Sequence, residues 1–205
     1  MKIRTRICLY CLAFIGCIQA ILICLFHPAP ARVVPAIAGL LLAHLIADFP
    51  LQADWVYRWR TCSAAGLALH AAIHVMVTAL ILKDVLGYWP ILVLVGLLHF
   101  AVDWLKPYWR GPALARFLLD QAIHTIVLIG MAMIFPIQPA LPVGLLYPVL
   151  VYATLPAILM ALWVLSSSQR SPGRAERWMR YHLLGVSKIS GVPLLATLSF
   201  WLVTR

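Results

Sequence analysis

Seven apolar runs, at residues 7–26, 33–52, 64–82, 88–105, 113–135, 143–165 and 183–203, follow one another with short polar gaps between them. Each is close to the roughly 20 residues that an α-helix needs to cross about 30 Å of hydrocarbon. A backbone in lipid must satisfy its own hydrogen bonds, so each run is predicted to be a helix. The fold class expected is therefore all-α, a polytopic membrane bundle of about seven helices. The first run follows Lys2, Arg4 and Arg6 and precedes Ala29-Pro30-Ala31, which has the outline of a signal peptide. It is too long for a usual signal core, so it reads as a retained anchor. Pro136, Pro139 and Pro142 make an uncharged turn between the fifth and sixth runs.

The polar residues inside these runs are few, and they are patterned. His44 and Asp48, His70 and His74, His99 and Asp103, and Asp120 and His124 are four pairs, each spaced i, i+4, on four successive runs. That spacing puts both members of a pair on one face of a helix. Gln52 continues the His44–Asp48 stripe by another four residues, and Gln121 adjoins Asp120. Every acid or histidine within the apolar spans belongs to one of the four pairs, while His27, His182, Asp84 and Glu176 fall in the gaps and Asp54 at a helix end. Lys188 is the remaining charge inside a span, near enough to its end to snorkel. Ionisable groups in a span are costly unless they meet partners, and four helices carrying the same device supply them.

Composition agrees with the class: 64% of residues are hydrophobic and 11% charged, well outside soluble globular usage. The net charge of +10 would suggest nucleic acid in a soluble protein. Here the cations cluster between apolar runs and act as a topology signal, so no nucleic-acid partner is expected. With the N-terminus inside, Lys2, Arg4, Arg6, Arg58, Arg60, Lys106, Arg110, Arg116, Arg170, Arg174, Arg177 and Arg180 are cytoplasmic, 12 of 16. The C-terminus is then outside. The basic loop between the last two runs is also a candidate surface for anionic lipid. Four of the five cysteines lie in the first run, and Cys8-x-x-Cys11 reads as small apolar residues rather than a redox or metal motif. The chain divides into an anchor (1–32), a four-helix His/Asp core (33–135) and two C-terminal helices joined by the basic loop (136–205).

Counted from the nearest inward-facing cation, the eight residues lie about 5 to 21 Å into the membrane, all in its cytoplasmic half. One cluster opening inward accounts for that agreement. Imidazole nitrogen and carboxylate oxygen are ligands for zinc, manganese and iron, and bundles build such sites from i, i+3 or i, i+4 pairs. His44, Asp48, His70, His74, His99, Asp103, Asp120 and His124 are the candidate ligands of a divalent ion, either two ions or one ion with orienting carboxylates around it. Of these, His44, Asp48, His99 and Asp103 are the candidate catalytic groups. A bound ion would bring the pKa of a coordinated water towards neutrality. Gln52 and Gln121 are candidates to orient that water or a substrate oxygen.

The segments H-L-I-A-D-F-P-L-Q-A-D-W, H-A-A-I-H, H-F-A-V-D-W-L-K and L-L-D-Q-A-I-H resemble a bacterial inner-membrane family known only as a domain of unknown function. The resemblance runs from about residue 40 to 126. It implies a multi-pass protein of the bacterial inner membrane and names no reaction. A looser likeness is to predicted membrane metal-dependent hydrolases. The reading that follows is an intramembrane metal-dependent hydrolase acting on a lipid or headgroup substrate. A metal-ion or proton carrier would use the same residues as a relay and should show polar residues continuing to the outer face, or internal repeats with broken helices; the apolar outer halves of the spans count against it. A structural or regulatory membrane protein would need no shared site, since single polar residues often only join helices.

Overall fold

Pro50 decides where the central helix stops. It lacks an N–H, and its ring would clash with the carbonyl four residues back, so a helix cannot pass through it. The computed structural model describes residues 32–167. In it the second apolar run forms α1 (Val33–Asp48), and Leu51 N reaches past the proline to Ile46 O at 3.1 Å. At 16 residues α1 is roughly 24 Å long, shorter than the span of 33–52 read from hydropathy. Gln52 therefore falls in the link beyond the helix and leaves the stripe that His44 and Asp48 occupy.

The next segment, expected as a plain interfacial gap, forms a short amphipathic helix, α2 (Asp54–Cys62). It begins with Asp54 in its first turn and has Arg60 in its last, both favourable to the helix dipole. Ser63 then caps α3 (Ala64–Ile81), its Oγ accepting from Gly66 N at 3.0 Å. Gly66 is required there by close approach: a Cβ would lie 2.4 Å from the carbonyl carbon and oxygen of Trp59. That contact folds α2 back over the start of α3 and brings Arg60 towards the bundle.

The remaining helices are α4 (Trp89–Leu105), which continues into a 3-10 turn at Lys106–Tyr108, α5 (Ala113–Ile134) and α6 (Val143–Ser167). Their bounds lie within about two residues of the apolar runs, the usual scatter of helix ends. Among the described residues four helices, α3 to α6, are long and apolar enough to cross a membrane. Pro148 and Pro156 sit inside α6, a placement that neighbouring helices make tolerable in lipid. The described residues are all-α, with one isolated bridge: Leu82 pairs with Pro139, and Ala140 N donates to Ile81 O at 2.8 Å. The proline-rich turn is thereby tied to the link between α3 and α4.

α1 packs against α3, α5 and α6, while α4 packs against α3 and α5. Apart from His44 and Asp48, α1 is apolar on every face, and a helix of that kind belongs in the middle. Two apolar clusters surround it. One joins Leu42, Ile46 and Ala47 to Val77 of α3 and to Leu146, Val149 and Ala153 of α6. The other joins Ile37 and Leu40 to Ile91, Leu92, Val95, Leu128 and Met131 at the end of the bundle away from α2. The helices expected at 7–26 and 183–203, Lys188 and the basic loop carrying Arg170, Arg174, Arg177 and Arg180 lie outside the described residues.

Candidate metal centre

The four pairs face one another. α1 presents His44 and Asp48, α3 presents His70 and His74, α4 presents His99 and Asp103, and α5 presents Asp120 and His124. None of the eight is more than 8% exposed. The stripes must turn inward because lipid offers imidazole and carboxylate nothing to bond to. The rings of His74 and His99 stack with centroids 3.5 Å apart; His99 and His124 are separated by 4.4 Å, His70 and His74 by 4.8 Å, and His44 and His124 by 4.9 Å.

Asp48 holds the centre of the cluster. Its Oδ1 lies 3.1 Å from His70 Nε2 and 3.2 Å from His74 Nε2, and its Oδ2 accepts from Gln121 Nε2 at 3.2 Å. Gln121 also approaches His44, with Oε1 3.4 Å from Nε2. Asp103 Oδ2 accepts from Arg60 Nη1 at 2.7 Å and lies 3.6 Å from both His70 Nε2 and His99 Nε2. Asp120 is held by the Lys106 ammonium.

Two overlapping sets have donor atoms that all lie within 4.8 Å of one another: Asp48, His70, His74 and His99, and His99, Asp103 and His124. Around an ion with ligands at about 2.1 Å, tetrahedral donors are about 3.4 Å apart, so shifts of around an ångström would close either set. His44 and Asp120 stand outside both sets, beside the groups that form them. His124 is the most completely prepared ligand. Its Nδ1 donates to the Asp120 carbonyl at 2.9 Å, which fixes the tautomer and leaves the Nε2 lone pair free. His124 Nε2, His99 Nε2, His70 Nδ1 and Asp120 Oδ1 are buried with no hydrogen-bond partner among the described residues. Buried polar atoms are seldom left so, and these are donors suited to a divalent ion such as zinc, manganese or iron.

A cavity of about 500 Å³ adjoins the cluster on the α2 side. Asp48, Asp103, Asp120 and Gln121 form its polar inner wall, Arg60, Lys106 and Arg116 supply cations, and Phe49, Phe117, Met160 and Trp163 are among its apolar lining. On the opposite side the histidines border a space of about 20 Å³ lined by Leu40, Thr78, Val95, Leu128 and Met131. Gln52 is placed with Arg60, whose Nη2 lies 3.4 Å from Gln52 Oε1, and not with the histidines.

Arg60 and Lys106 are functional-site residues that the topology count had absorbed. Lys106 carried a signal, its i, i+3 spacing from Asp103, and the two charges lie 4.0 Å apart. Arg60 carried none, because its reach depends on α2 folding back at Gly66.

Residues 36–166 match a family model described as a protein of unknown function, DUF3307. The chain belongs to the DUF3307 family. The match extends past residue 126, where the resemblance read from motifs ended, and takes in almost all of α6. The DUF3307 region thus takes in the lining residues of the cluster and its cavity among the described residues. No curated protein and no solved structure matches the chain.

Proposed function

We propose that this DUF3307 protein is an intramembrane metal-dependent hydrolase of the bacterial inner membrane, acting on a lipid or headgroup substrate from the cytoplasmic side. The observation that carries the reading is the junction of two buried His/Asp donor sets with a cavity wide enough for a headgroup. The apolar packing around Leu40 and Met131, with no ionisable group among its described residues, favours a one-sided site over a path through the membrane. Asp48, His70, His74, His99, Asp103 and His124 would hold the ion. When bound, a divalent ion supplies an acidified water and a Lewis acid.

The chain's own residues do the rest. Gln121 keeps Asp48 and His44 in register. An attacking water oxygen would bond to the carbonyl carbon or phosphorus of the substrate as the bond to the leaving oxygen breaks. His44 Nε2 faces two acceptors, Gln121 Oε1 at 3.4 Å and Asp48 Oδ2 at 3.5 Å, so it carries a proton and would give it to that leaving oxygen, while the water proton would go to the Asp48 carboxylate and from there back to His44. His99 and Asp103 stand across the site from this pair and complete the catalytic group.

The test is turnover in lipid nanodiscs, with protein presented with a panel of carboxylic-ester and phosphoester lipids. Slow hydrolysis that stops on chelation and returns with added divalent metal is the expected result. Turnover unaffected by chelation, or none across the panel with metal bound, contradicts the hydrolase reading.

A further inference from the structure

We infer that the cavity beside the His/Asp cluster binds a phosphate-bearing headgroup, with Arg116 and Lys106 on the phosphate and the aromatic wall against the attached chain. This names the substrate class of the hydrolase proposed above and rests on that reading. The carrying observation is Arg116. It is exposed, lines the cavity one turn before Asp120, and forms no ion pair among the described residues. Arg60 and Lys106, by contrast, are engaged with Asp103 and Asp120. A guanidinium at the mouth of a partly desolvated cavity is a bidentate receptor for a tetrahedral oxyanion.

The charge balance of the wall gives the class. Asp54 has a partner of its own, and the three site aspartates, Asp48, Asp103 and Asp120, equal in number the cations Arg60, Lys106 and Arg116. Without metal the cavity therefore offers an anion no net attraction. Each divalent ion adds two positive charges, an excess that a doubly charged anion balances and a singly charged one does not. A carboxylate or zwitterionic amine does not meet that requirement, whereas a phosphate monoester does. A metal ligating Asp103 or Asp120 would also weaken the hold of these carboxylates on Arg60 and Lys106, freeing Lys106, whose side chain is one-third exposed, to turn to the anion. Metal and phosphate should thus bind with positive coupling, each raising the affinity for the other by the same factor. The lining of Phe49, Phe117, Met160 and Trp163 would cover the carbons next to the phosphate.

The experiment is equilibrium binding to the full chain in nanodiscs of uncharged lipid, with three probes: inorganic phosphate, dodecyl phosphate and dodecyl carboxylate. Each is measured with and without bound divalent metal, and metal content is recorded separately. Dodecyl phosphate is expected to bind only to the metal-loaded protein, about tenfold or more tighter than inorganic phosphate because of the buried chain. Arg116→Gln should weaken it by about tenfold with metal content unchanged. Arg116 is exposed, so this variant should fold, and Arg116→Lys should recover part of the loss. Equal affinity for the two phosphates still supports a phosphate site and assigns it to soluble esters. Metal bound with no preference for phosphate over carboxylate, or an Arg116→Gln variant that binds like the parent, overturns this inference and leaves the metal centre standing. Failure to bind metal at all removes both.

Discussion

Asp48→Asn is expected to cost the protein its metal. The side chain keeps its size and can still hydrogen-bond Gln121, so the helices should stay where they are. What is lost is the negative charge that sits 3.1 Å and 3.2 Å from the Nε2 atoms of His70 and His74. Replacing groups that merely orient ligands costs about 10–100-fold in metal affinity, so loss of a central anionic donor should exceed 100-fold. Competition with a chelator of known affinity measures it directly. If the cluster only joins helices, the same change should alter stability by about 1 kcal/mol and leave no metal signature.

The second large effect concerns Arg60. Its side chain is 11% exposed and bonds to Asp103, which is 5% exposed. Removing the guanidinium leaves Asp103 with the more distant Lys106, at 4.0 Å, as its remaining cation, and stranding one charge of a buried pair costs about 3–5 kcal/mol. Arg60→Ala should therefore destabilise the metal-free protein by about that amount, read from unfolding in detergent. Two rescues follow. Asp103→Asn in the same chain should restore most of the loss, because no carboxylate is then stranded. Divalent metal should also restore it, if Asp103 becomes a ligand. A loss below about 1 kcal/mol would mean that the pair behaves as a solvated rim contact.

The four polar pairs were legible in the sequence because hydrocarbon leaves an ionisable side chain nowhere to go except towards a partner. A span tolerates so few such groups that their spacing alone points to a common face, and the eight residues do converge. Helix bounds were legible for the same reason, as hydropathy and helix length are tied by the bilayer. Four things were not. Pro50 ends α1 before Gln52, so the stripe predicted through His44, Asp48 and Gln52 breaks at its last member. α2 was hidden because a short helix rich in Trp, Tyr and Arg has the composition of an interfacial loop. The roles of Arg60 and Lys106 were masked by topology, since a cation placed to orient a span and one placed to neutralise a buried carboxylate look alike in one dimension. The division of the eight residues into two donor sets, with His44 and Asp120 beside them, depends on distances between helices that no periodicity encodes. The contribution of α6 is of the same kind: nothing in an apolar run marks Met160 and Trp163 as cavity wall.

The central claim is that these side chains form one metal centre, and X-ray absorption on metal-loaded, detergent-purified protein tests it most directly. The absorption edge identifies the element, and the fine structure reports the ligands. The expected result is one or two divalent ions per chain with imidazole and carboxylate donors, at about 2.0–2.2 Å for a zinc-type site. The imidazole scattering should also diminish in His124→Ala. A protein that retains no divalent ion above its buffer, or one whose bound metal shows only water and carboxylate oxygens and is indifferent to His124→Ala, would contradict the claim.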